Sequence, residues 1–87
     1  MIFQAMNRPA QEAHLLVNIG QAQMGNGQTD AAIASFQQAV NLSETLRQQQ
    51  SRATELSAHI EAAYRNLATL LIQQNRNDEA QQILNLI

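Results

Sequence analysis

Cysteine, lysine and tryptophan are absent from this 87-residue chain, and proline occurs once. Without cysteine there is no disulfide and no thiolate site for zinc, so the core must hold without a staple, and a reducing compartment suits it. One tyrosine and two phenylalanines leave leucine, isoleucine and alanine to fill an interior that is thin at this length. Only roughly 60–65% of the unfolded chain's surface can be buried. The missing lysine leaves five dispersed arginines, Arg8, Arg47, Arg52, Arg65 and Arg76, against seven acids, for a formal net charge of −2. Nucleic-acid binding needs clustered positive charge to displace counterions, so that class is excluded. A strongly charged substrate would find no field of one sign to steer it. No run approaches the roughly 20 apolar residues that span a bilayer. Met1 to Pro9 is too short and too polar for a secretory signal. The chain therefore reads as cytoplasmic, with no membrane partner.

What the chain does have is amide and alanine. Fourteen glutamines and eight asparagines make up its polar surface, so recognition is expected to rest on shape, apolar contact and amide hydrogen bonds. The run Gln48-Gln49-Gln50 is flanked by regular leucine and alanine spacing, which makes it one face of a helix rather than low complexity.

Apolar residues at intervals of three and four predict four helices. The first runs from Ala10 to about Gly25 behind Pro9, with Ala13, Leu16, Val17, Gly20 and Met24 on connected faces. Gly25-Asn26-Gly27 ends it, and Thr29 followed by Asp30 begins the second helix, whose inward stripe is Ala32, Ile33, Phe36, Ala39 and Val40. The third is expected from about Ser51 to Gln74, with Leu56, Ile60, Ala63, Tyr64, Leu67, Leu70 and Leu71 inward. Asn75-Arg76-Asn77 forms the next turn, with Asn77 capping a short fourth helix that carries Ala80, Ile83, Leu84 and Ile87. Between Asn41 and Ala58 there is neither proline nor glycine. The second and third helices are therefore expected to lengthen and reverse near Gln50-Ser51, the alternative being one continuous helix from about Thr29 to Gln74.

One pattern recurs 48 residues apart with its internal spacing kept. Leu16, Ile19, Gly20, Ala32, Phe36 and Ala39 return as Tyr64, Leu67, Ala68, Ala80, Leu84 and Ile87. Both halves resemble tetratricopeptide repeats, which place a large residue, leucine and glycine in a first helix and alanine, a bulky residue and alanine in a second. Here the repeat is 48 residues instead of 34, and Glu44 stands where the family usually has proline. The resemblance implies an all-α fold of two antiparallel helical hairpins, four helices in all, stacked as a short solenoid of long-helix repeats. The whole chain, 1–87, would be a single domain, with hairpin one about 10–50 and hairpin two about 51–87. A plain antiparallel bundle shares the apolar periodicity; the duplicated small residues favour the stack.

The resemblance also implies a function, a scaffold module for protein–protein interaction that binds a peptide, a helix or a second copy of itself. Its inner groove would be lined by His14, Val17, Asn18, Gln21 and Met24 from the first hairpin and by Ala62, Arg65, Asn66, Thr69 and Gln73 from the second. Arg65 would meet a carboxylate and Asn66 a peptide backbone. Ile83, Leu86 and Ile87 would form an association edge for a homodimer or for flanking helices outside the sequence. The alternative is a purely structural assembly domain without a ligand groove. No enzyme is expected, because the serines at 35, 43, 51 and 57 lack a serine–histidine–acid constellation. No cofactor or metal is expected either. Glu55-x3-His59, with His14 and Glu12 elsewhere, has no dense ligand spacing, and Gly25 and Gly27 are turn residues rather than a phosphate loop.

Overall fold

The first and third helices each end where a residue is free to turn left-handed. In a computed structural model, residues 9–49 and 58–87 are described, and they form α1 (Pro9–Gly25), α2 (Thr29–Gln49), α3 (Ala58–Gln73) and α4 (Asn77–Leu84). Gly27 takes a φ of +78° and Asn75 a φ of +63°, the conformation that glycine and asparagine adopt at least cost. Around Gly27, the amide of Gln28 donates to the Gln23 carbonyl (2.8 Å) and that of Gly27 to Met24 (3.1 Å). Around Asn75, Arg76 donates to Leu71 (2.8 Å) and Asn75 to Ile72 (2.9 Å). Both are Schellman endings, which close a third to a half of helices and so signal no repeat by themselves. Gly27→Ala is expected to cost about 1–2 kcal/mol, because a Cβ at that φ crowds its own backbone. Gly25→Ala, with nothing within 4 Å of its added Cβ, should be neutral or slightly stabilising. Paired denaturant melts of the two variants check the contrast.

The helix starts differ from the sequence expectation. The amide of Ala32 donates to the Gln28 carbonyl, which puts Gln28 rather than Thr29 at the cap position. Arg76 occupies the cap of α4 without a side-chain cap bond, and Asn77 is already helical. Arg76 instead makes a forked pair with Glu79 at 2.9 and 2.7 Å. This pair raises the guanidinium and lowers the carboxylate from their ordinary ranges, mainly through the shared hydrogen bond.

The four helices share one interior. α1 packs along α2, α2 on α3, and α3 on α4, while α1 also reaches α3. Ala13 and Val17 from α1 meet Ala32, Ile33, Phe36, Ala39 and Val40 from α2. Ile60, Ala63, Tyr64, Leu67, Ala68, Leu70 and Leu71 from α3 and Ala80 and Ile83 from α4 complete the cluster. The inward stripe of α2 is as the spacing predicts, and that of α3 is so from Ile60 onward. Leu16 and Met24 are only half-buried. A 2.7 Å bond from the Tyr64 hydroxyl to Glu44 Oε2 excludes the continuous helix, in which residues 20 apart lie about 30 Å apart. Leu56 and the reversal near Gln50-Ser51 lie outside the described residues, as do Phe3 and Met6. No helix among the described residues is long and apolar enough to cross a membrane.

The tetratricopeptide-like solenoid is not what forms. The chain is a four-helix bundle of 35 × 30 × 18 Å with a radius of gyration of 13.0 Å, near the roughly 12 Å of a compact domain of this length. Gly20 and Ala68, and Ala32 and Ala80, are buried alike, but the other four paired positions that suggested a repeat do not share environments. Ile19 is 39% exposed while its counterpart Leu67 is wholly buried, and Phe36 and Ala39 are wholly buried while Leu84 and Ile87 are 41% and 47% exposed. The reason is unequal hairpins. α2 has 21 residues and α4 has 8, so Leu84 and Ile87 fall at and beyond the end of a helix too short to cover them. Ile19 is partly exposed on α1.

Candidate functional site

Glu44 was legible only as a departure from a repeat pattern, yet it is the hub of the bundle's polar network. Its Oε2 accepts from the Tyr64 hydroxyl at 2.7 Å and from Arg47 Nη1 at 2.8 Å, and the same Arg47 nitrogen donates to the Leu86 carbonyl at 3.1 Å. Three segments are tied by one carboxylate: α2, α3 and the chain following α4. Burial of the Tyr64 ring, and then the hydrogen bond and charge of Glu44, push the phenol well above the ordinary tyrosine range, with Arg47 and Ser43 pulling weakly the other way. The network sits at the edge of the core, and its hydroxyl is committed to holding structure.

The residues that the repeat pattern nominated for a groove are scattered in role. Val17 is fully buried in the core and Met24 packs against it. Arg65, nominated for a carboxylate ligand, is spent on Glu61 one turn earlier at 3.2 and 2.6 Å. Thr69 and Gln73 are exposed, and Ala62 and Asn66 are half-buried. His14, Asn18 and Gln21, exposed at helical spacing on α1, run along the side that meets α3. There His14 stacks on His59 with ring centroids 4.8 Å apart and planes 10° from parallel. Of the association edge, Ile83 is buried, Leu86 packs partly on the core, and Ile87 is exposed.

The exposed apolar surface lies partly elsewhere. Leu15 is 58% exposed, and with Ile19 one turn on it forms an outward ridge on α1. Beside it runs an open trough of about 290 Å³ between α1 and α2, lined by Glu12, Leu16, Gln38, Asn41, Leu42 and Thr45. Leu16 and Leu42 form its apolar floor against the core. Sequence reasoning named Ile19 only as a repeat position and passed over Leu15. The available signal was the spacing Leu15-x3-Ile19, which cannot share a face with Ala13, Val17 and Gly20 at 100° per residue. A second hollow at the turn of the second hairpin is lined only by Asn75, Arg76, Asn77, Asp78 and Glu79. Among the described residues no group of three or more histidines and acids could hold a metal ion.

Compared with curated proteins and with solved structures, the chain matches none. Residues 12–87, which include all of the bundle except the first turn of α1, match a family described as protein of unknown function, DUF2753. The chain belongs to the DUF2753 family.

Proposed function

We propose that the chain is a noncatalytic association module whose partner is a second copy of itself, joined through the outer face of α1. The observation that carries this reading is the exposed Leu15–Ile19 ridge beside the Leu16–Leu42 trough. A ridge and a trough on one face make a self-complementary surface, so a two-fold axis can seat the ridge of each copy in the trough of the other. Like charges meet when a face packs on its own twin, and here the only charged side chain named on ridge or trough is Glu12. The rest of the trough's polar lining is amide or hydroxyl, able to pair without a charge to desolvate. A net charge of −2 adds little repulsion at long range. The face is small, which places the dimer at the weak, reversible end of protein association.

Sedimentation equilibrium over a concentration series tests the reading. The 9.6 kDa chain is expected to approach twice that mass as concentration rises. Ile19→Glu should weaken the dimer about 10- to 100-fold, since covering one large apolar side chain is worth about 1.5–3 kcal/mol. Helix content should stay unchanged, because the side chain faces away from the core. A wild-type chain that stays monomeric at millimolar concentration would sink the proposal, as would a dimer indifferent to Ile19→Glu and Leu15→Glu.

A further inference from the structure

Glu44, Glu61 and Glu79 are each paired with an arginine at 2.8 Å or less, and the two histidines stack on each other. The sequence separates them by 45 positions, and the bundle brings them together by setting α1 beside α3. His14 is exposed and His59 half-buried, so solvent reaches the pair. Neither ring makes a hydrogen bond to a described side chain or backbone group. Imidazole nitrogen is a preferred ligand of copper, nickel and zinc, and these ions need no carboxylate to bind it.

We propose that His14 and His59 together coordinate one divalent transition-metal ion of the Cu²⁺, Ni²⁺ or Zn²⁺ class, as a two-imidazole clamp joining α1 to α3. With metal–nitrogen distances near 2.0–2.1 Å and a tetrahedral angle, the two bound nitrogens lie about 3.4 Å apart. The rings are stacked with centroids 4.8 Å apart and planes 10° from parallel, so their in-plane lone pairs lie in two separate, nearly parallel planes. Binding one ion therefore requires both rings to tilt out of the stack until a nitrogen of each points at it. Side-chain torsions supply that tilt without moving either helix, because one ring is exposed and the other half-covered. Water completes the coordination, which makes the site open and exchangeable. Calcium and magnesium are excluded by the absence of oxygen ligands from the pair. The clamp spans the junction of the two hairpins, so an ion bound there stabilises their docking in proportion to its occupancy.

The full chain at pH 7.5 is titrated separately with CuCl₂, NiCl₂ and ZnCl₂, following heat of binding, melting temperature and solution mass. The expected result is one ion per chain, tightest for Cu²⁺, with a rise in melting temperature and no change in mass. His14→Ala and His59→Ala should each weaken binding about tenfold or more, as loss even of outer-shell partners does, and each should abolish the thermal shift. Paramagnetic broadening by Cu²⁺ should reach the amides around both histidines, and His14→Asn and His59→Asn serve if an alanine variant loses helix content. Absence of binding at 1 mM metal, binding that survives either substitution, or metal-dependent dimerisation would each overturn the clamp.

Discussion

Phe36→Ala is expected to destabilise the bundle by about 3–5 kcal/mol, as large-to-small changes of buried aromatics do. For 87 residues the total stability is on the order of 4–13 kcal/mol, so this one variant brings the chain close to unfolding at room temperature. The ring is wholly buried, and its edge lies directly over Gly20, where an added Cβ would come within 2.8 Å of Cε1, 2.9 Å of Cδ1 and 3.0 Å of Cζ. Glycine at this position is required by the ring rather than by backbone conformation. Gly20→Ala therefore combines two opposing effects. Helix propensity contributes about 0.8–1.0 kcal/mol in favour, and overpacking against a ring with no room to retreat costs about 1–3 kcal/mol. The net expectation is a loss of about 1 kcal/mol. In a Phe36→Leu background the clash is relieved and the same Gly20→Ala change should become stabilising. Urea melts of the four members of that cycle read the interaction directly. A change at Gly20 whose effect is the same in both backgrounds would show that the close approach does not govern the contact.

How far the sequence led can be judged from the same residues. Phe36 and Gly20 were legible as inward because helical spacing of three and four is set by the backbone itself. The two turns were legible because Gly27 and Asn75 are residues that accept a positive φ. Ile19, Leu84 and Ile87 differ in exposure from their repeat counterparts for a common reason: identity of spacing is not identity of surroundings. Spacing fixes which residues share a face, but whether that face is covered depends on the length of the neighbouring helix. Covering Leu84 and Ile87 would need a fourth helix as long as the second, and α4 has 8 residues. The His14–His59 contact was illegible for another reason. It depends on the lateral offset of α1 against α3, which no local pattern encodes. Glu44 was visible as an exception, but its meaning needed Tyr64 and Arg47 brought within 3 Å of it.

Raising the pH above about 10 should destabilise the bundle through that same Tyr64, and the composition makes the effect unusually clean to measure. An unperturbed phenol titrates near 10, while in the folded chain burial and the adjoining Glu44 carboxylate hold the proton to higher pH. The folded state therefore binds a proton that the unfolded state releases. The stability linked to this proton is fully present below about pH 10 and is lost as pH climbs toward the folded phenol's own titration, at about 1.4 kcal/mol per pH unit. The chain has no lysine and no cysteine, and Tyr64 is its single tyrosine. No other side chain competes in the window from about pH 9 to 11.5, since arginine titrates above 12. Tyrosinate absorbance at 295 nm reports this one residue without overlap from tryptophan. Native protein should show a delayed rise in that signal, coincident with the loss of helical circular dichroism. Tyr64→Phe should behave differently at both ends of the scale. At neutral pH it loses about 0.5–1.5 kcal/mol for the missing hydrogen bond, or more to the extent that Glu44 is left short of a donor. Above pH 10 its stability should stay flat where the wild type declines, so the two curves converge or cross. A wild-type stability that is level from pH 9 to 11.5, or a decline that survives Tyr64→Phe, would mean that Glu44 does not hold the phenol proton in the folded state.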